Sequence, residues 1–154
     1  MLKTNKSKWI ATLIAFLLVA VVLIGFGVKI SQQEKTVSVN SFNYAVGGIN
    51  GTSGKTFETK KSIYTKNMGN VDGMEIEISD DATITYKVAY YDEDKEFIAM
   101  SDSLNDDFDN ANIEEGAVYF RVVITPNQVD GEDVTINTFS IAKYANQLKI
   151  TYNK

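Results

Sequence analysis

The chain contains neither cysteine nor histidine. Without thiols it can form no disulfide, no thiolate nucleophile, no sulfur-ligated zinc or iron–sulfur site and no lipid-anchoring cysteine. Without imidazole it has no Ser-His-Asp or Cys-His arrangement, no histidine general base and no histidine metal ligand. Carboxylate and lysine chemistry survive this elimination, and the expectation is a protein that is not an enzyme. Proline occurs once, at Pro126, tryptophan once, at Trp9, and arginine once, at Arg121. The lack of cysteine permits an exported location without requiring one.

Charge is missing altogether from Trp9 to Val28, where WIATLIAFLLVAVVLIGFGV runs for twenty residues. At 1.5 Å per residue such a helix spans roughly 30 Å, the hydrocarbon core of a bilayer. Lys3, Lys6 and Lys8 precede the span, whereas Lys29 and Lys35 follow it with Glu34 partly offsetting them. That bias predicts a cytoplasmic N-terminus and an extracytoplasmic remainder, with Trp9 at the headgroup boundary. Gly25-Phe26-Gly27 resembles a signal-cleavage site, but the apolar run exceeds the roughly 7–15 residues of a signal-peptide core, so a retained anchor is expected. The organisation predicted is a cytoplasmic tail over 1–8, a transmembrane signal-anchor helix over 9–30, a linker over 31–36 and an extracytoplasmic domain over 37–154. The localisation that follows is the cell membrane, crossed once.

Five lysines and one glutamate fall in residues 1–35, which leaves 10 basic and 19 acidic residues, a formal −9, on residues 36–154. A surface so acidic repels phosphate backbones, and nucleic acid is not an expected partner. A domain of about 120 residues buries well over half of its unfolded surface, and so needs neither disulfide nor metal to be stable.

Beyond the linker the apolar residues alternate with period two. Met74, Ile76 and Ile78 oppose Glu75 and Glu77, and Ile84, Tyr86, Val88 and Tyr90 oppose Thr85 and Lys87, the pattern of half-buried strands. A polar turn over Asp92–Glu96 predicts that Ile84–Tyr91 and Glu96–Met100 form a hairpin. Ala117–Thr125, closed by Pro126, is the strongest strand and is expected at the sheet centre. Further strands are expected over Thr36–Tyr44, Val134–Phe139 and Leu148–Tyr152, with no helix of useful length after the anchor. Val46–Thr56 is Gly-rich and ends in Gly54-Lys55-Thr56 like a phosphate loop, but Ile49 stands where such a loop needs its first glycine; a flexible connection is expected there. Short strands joined by turns, with no helices between them, predict an all-β antiparallel β-sandwich.

The runs SIYTK (62–66), ITYKVAYYDEDKEFI (84–98), GAVYFRVVITP (116–126) and KYANQLKITYNK (143–154) resemble jelly-roll, carbohydrate-binding-module-like domains of membrane-anchored or phage-associated proteins of Firmicutes. The resemblance implies a jelly-roll form of the sandwich and a ligand class of cell-envelope or host glycans. The domain departs from sugar-binding patterns in having no tryptophan outside the anchor.

Three constellations could carry chemistry. Asp102, Asp106, Asp107 and Asp109 offer oxygen ligands suited to a structural calcium, yet their spacing fits no EF-hand loop and a solvated acidic loop is the favoured expectation. Glu114 with Glu115, and Asp92 with Asp94, are sequence neighbours that cannot face each other across a sugar as a glycosidase requires. Lys87, Tyr91, Tyr119 and Arg121 share the phase opposite the apolar rows of their strands; on adjacent strands they would form one patch of rings and cations able to hold an anionic glycan. The competing expectation for Arg121 is an ion pair with Glu75 or Glu77. Two functions follow: a membrane-anchored extracytoplasmic binding module for glycan, or an assembly subunit that meets another envelope protein through an uncovered edge strand or apolar patch.

Overall fold

In the computed structural model the residues described are Lys35–Lys154, which form one compact unit. The predicted anchor, Trp9–Val28, lies outside the described residues. Among the described residues no helix is long and apolar enough to cross a membrane.

The strands are β1 (Thr36–Val39), β2 (Tyr44–Val46), β3 (Gly48–Ile49), β4 (Thr56–Phe57), β5 (Ile63–Thr65), β6 (Gly69–Asn70), β7 (Glu75–Ile78), β8 (Ile84–Tyr91), β9 (Phe97–Met100), β10 (Tyr119–Pro126) and β11 (Leu148–Asn153). One helix, α1 (Ile141–Ala145), precedes β11. All pairings are antiparallel and make two main sheets, one in the order β1-β11-β7 and the other in the order β2-β5-β10-β8-β9 with β6 also on β10. A small third ladder joins β3 to β4.

The alternation read from the sequence is what brings the main sheets face to face. Ile76, Leu148 and Ile150 of the smaller sheet pack in one core with Tyr86, Val88, Tyr90, Phe120, Val122 and Ile124 of the larger. The ring of Phe120 meets that of Tyr152 edge to face at 5.7 Å across the layers. Each fully buried aliphatic or phenyl side chain here removes enough apolar surface from water to contribute roughly 1.5–3 kcal/mol, which is the main force holding the sandwich. The domain is thus an all-β antiparallel sandwich, with β10 central in the larger sheet as expected.

The hairpin of β8 and β9 forms as its sequence predicts. Asp92 Oδ1 accepts from the backbone N–H groups of Asp94 and Glu96, and Lys95 takes the left-handed conformation the turn needs. A register shift between Tyr90 and Tyr91 bends the ladder there.

Four expectations are corrected. The strand expected over Thr36–Tyr44 is two strands in different sheets, because Asn40 and Asn43 cap one another's backbone around a 3-10 turn over Ser41–Asn43. Val134–Phe139 is not a strand: Ile136 is buried in the core with Val134 packed against it, Ile136 N–H donates to Lys60 O, and the Asn137 side chain accepts from Phe139 and Ser140 N–H to turn the chain into α1. That helix is itself unforeseen, being too short to show a period. The Gly-rich connection is the folded hairpin of β3 and β4, closed by Asn50 Oδ1 accepting from Thr52 and Ser53 N–H.

Candidate functional site

The hairpin of β3 and β4 decides the fate of the patch expected on the outer face of the larger sheet. Strands β8 and β10 are neighbours, with Tyr91 opposite Tyr119, Ala89 opposite Arg121 and Lys87 opposite Val123. The four residues therefore share one face, but that face is not simply open. Ile49, Ala89, Tyr91 and Val123 form a second, smaller core, with Tyr64, Met68, Phe97, Met100 and Tyr119 packed around it.

Tyr91 is only 3% exposed, and its hydroxyl donates to the carbonyl of Gly54 at 3.1 Å. Gly54 holds a φ of +66° and carries no side chain, so that the hairpin backbone can lie against Phe97. Burial raises the Tyr91 phenol above its ordinary pKa, and the guanidinium of Arg121 beside it acts the other way.

Arg121 repairs an interruption in the sheet. Strands β5 and β6 both pair with β10, but the chain between them, 66–68, leaves the ladder. Arg121 Nε donates to Thr65 O at 2.8 Å and Nη2 to Lys66 O at 3.0 Å. Val122 N–H meanwhile donates to Thr65 Oγ1. The guanidinium also stacks 5.0 Å from the centre of the Tyr64 ring. The expected ion pair with Glu75 or Glu77 does not form, because both lie on the other main sheet, where Lys149 bonds Glu77. Tyr119 is half-buried beneath the ammonium of Lys95 at 5.5 Å, and Lys87 is exposed.

The acidic stretch is spent on local structure. Asp107 Oδ1 accepts from Ile78 N–H at 2.8 Å, Asp109 caps a 3-10 turn through Ala111 N–H, and the carbonyl of Asp106 accepts from the Tyr86 hydroxyl. Asp102 is exposed. Among the described residues no three acidic side chains converge as a metal ion would require.

Sequence reasoning did not find two other surfaces. The first is a cleft of about 180 Å³ between β1 and the Thr65–Gly69 segment, with Phe120 and Tyr152 contributing to its lining and no charged residue on it. Its walls are drawn from both main sheets, β1 and β11 on one side and β5, β6 and β10 on the other, a tertiary relation no local pattern encodes. The second is a pair of phenylalanines, Phe42 at 85% and Phe139 at 96% exposure. Phe42 sits on the 3-10 turn that packs beside α1, and Phe139 lies in the turn leading into α1, so both project from one end of the domain. Both are apolar residues in polar turns, a signal visible in the sequence. No family model matches this chain, and no curated protein or solved structure matches it.

Proposed function

We propose that the protein is a membrane-anchored extracytoplasmic module that works by holding another envelope protein rather than by catalysis. The carrying observation is where its apolar surface lies. Phe42 and Phe139 are the most exposed large apolar side chains among the described residues, and they stand on neighbouring turns, where grouped apolar exposure marks a contact site more often than single exposed residues do. The residues that could have stacked on a sugar are engaged elsewhere: Tyr91 is buried, and Arg121 is bonded to two backbone carbonyls. The anchor over 9–30 with the domain outside is part of this proposal and rests on the lysine asymmetry and the uncharged span. We also read the sandwich as jelly-roll-like, a form supported by the way the chain passes between the main sheets after β1, before and after β7, and again before β11.

Anionic glycan is the second reading, favoured by the exposed Lys87 on the same face as Tyr119 and Lys95. The deciding experiment sets a cross-linked pull-down from intact cells beside a glycan array. The parent chain should retrieve a specific envelope protein, and Phe42→Ser with Phe139→Ser should lose it while still folding. Retrieval unaffected by the double change, or glycan binding that Lys87→Ala abolishes, would favour the second reading.

A further inference from the structure

The smaller sheet treats its two edges differently. Along the outer edge of β7, Asp107 accepts from Ile78 N–H and Phe108 N–H donates to Ile76 O, so a passing segment takes up one outward N–H and one outward C=O. On β1 nothing equivalent occurs among the described residues. Its register with β11 pairs Thr36 with Asn153, Val37 with Tyr152, Ser38 with Thr151 and Val39 with Ile150. Lys154 N–H donates to Lys35 O, and Asn153 N–H donates away from β1, to Asp72 O. In an antiparallel ladder hydrogen-bonded pairs alternate with pairs whose backbone groups point outward. Val37 and Val39 therefore bond to β11, and Thr36 and Ser38 each turn one N–H and one C=O to the open edge.

Natural edges are usually guarded by lysine, proline, a bulge or a covering loop, and among the described residues β1, reading TVSV, has none of these. Its half-buried Val37 and Val39 face the cleft that also contains Phe120 and Tyr152, with Thr65 and Asn67 on the opposite wall. Two donors and two acceptors, set two residues or roughly 6.6 Å apart, match another extended chain in register, whereas a sugar has no such repeat. The uncharged lining admits apolar side chains without stranding a charge, and the cleft volume of about 180 Å³ restricts them to small ones.

We propose that the edge of β1 is a strand-addition site that takes an extended, uncharged segment of a partner protein with small apolar residues at alternate positions. Main-chain hydrogen bonds supply the grip in this mode of recognition, and the alternate side chains filling the cleft supply selectivity. The inference rests on the protein-holding function proposed above and adds a second contact surface to the turns carrying Phe42 and Phe139.

The test uses the full-length protein in detergent micelles and, as probe, an acetylated and amidated seven-residue peptide of alternating threonine and valine. Saturable binding is expected, with hydrogen exchange slowed at the Thr36 and Ser38 amides. Ser38→Pro removes the outward N–H without touching a bond to β11 and obstructs the added strand; it should weaken binding by roughly tenfold or more. Ser38→Ala keeps the backbone groups and should bind like the parent. If thermal unfolding shows that Ser38→Pro does not fold, Asn67→Trp, which fills the cleft from its other wall, should block the peptide instead. Undiminished binding to folded Ser38→Pro, or protection away from β1, would overturn the proposal. So would slow exchange at Thr36 and Ser38 before peptide is added, because a second copy would then occupy the edge. A pull-down in which Ser38→Pro still retrieves the envelope partner removes strand addition and leaves the holding function standing; retrieval of no partner by the parent removes the holding function itself.

Discussion

Arg121 separates a structural role from a ligand-binding one, and its surroundings give the size of effect to expect. Replacing it by alanine removes donors from Thr65 O and Lys66 O and the cation from above the Tyr64 ring. Thr65 is buried and Lys66 exposed, so water can replace the second hydrogen bond but not the first. A buried carbonyl left unsatisfied costs about 1–3 kcal/mol, and a half-exposed cation–π contact contributes roughly 0.5–1 kcal/mol. These do not add fully, and a net loss of about 2–3 kcal/mol is expected for Arg121→Ala, or roughly 7–12 °C in Tm for a domain of this size. Arg121→Lys keeps the charge but not the planar fork that spans two carbonyls while stacking, and should recover less than half of that loss. Urea unfolding of a 35–154 fragment, followed by circular dichroism, measures both variants. If Arg121→Ala unfolds at the parent's midpoint, the guanidinium is not holding the break between β5 and β6, and its place on the outer face has to be explained by a ligand instead.

The acidic stretch and the buried phenols give two further outcomes. EDTA should leave the Tm of the fragment unchanged, while Asp107→Ala, which strands Ile78 N–H, should cost about 1 kcal/mol and Asp102→Ala less than about 0.5 kcal/mol; a calcium-reversible fall of several degrees with EDTA would show instead that a bound ion adds its binding energy to stability. Burial, with the Glu114 carboxylate adding to it, pushes the Tyr90 phenol up to about 12, and burial raises Tyr44, Tyr86 and Tyr91 as well. A phenol whose pKa is higher folded than unfolded stabilises the fold fully below pH 10, and that contribution is lost as the pH climbs through the folded value. The melting temperature should therefore fall as pH rises from 10 towards 12, and absorbance at 295 nm should show only some of the eight tyrosines ionising before the circular dichroism collapses. Ionisation of all eight with the fold intact would contradict their burial.

What was legible in the sequence is what a period of two can carry. Strands β7, β8, β10 and β11 each send one alternating apolar row to the core between the sheets, and a register slip of one would move that whole row off it. Turn chemistry was legible where it sat between such rows, as at Asp92. It went unread where apolar residues flanked it: Asn40 and Asn43 break an apparent strand from Thr36 to Tyr44, and Asn137 does the same after Ile136, in both cases by capping backbone N–H groups with a side-chain amide.

The candidate patch shows why a face can be assigned correctly and its environment still be missed. Periodicity says which side of a sheet a residue is on; it cannot say whether that side meets water. Tyr91, Tyr119, Arg121 and Lys87 do share a face, but the β3–β4 hairpin folds against it, and its four glycines, Gly47, Gly48, Gly51 and Gly54, give little hydrophobic signal that it would. Once the hairpin is in place, Tyr91 becomes its anchor and Arg121 a clamp on the neighbouring strand, whereas Lys87 stays exposed and Tyr119 half-buried. Among the described residues, the outward backbone groups of Thr36 and Ser38 and the exposed side chains of Phe42, Phe57, Val129 and Phe139 lie apart from that hairpin-covered patch or on the hairpin itself.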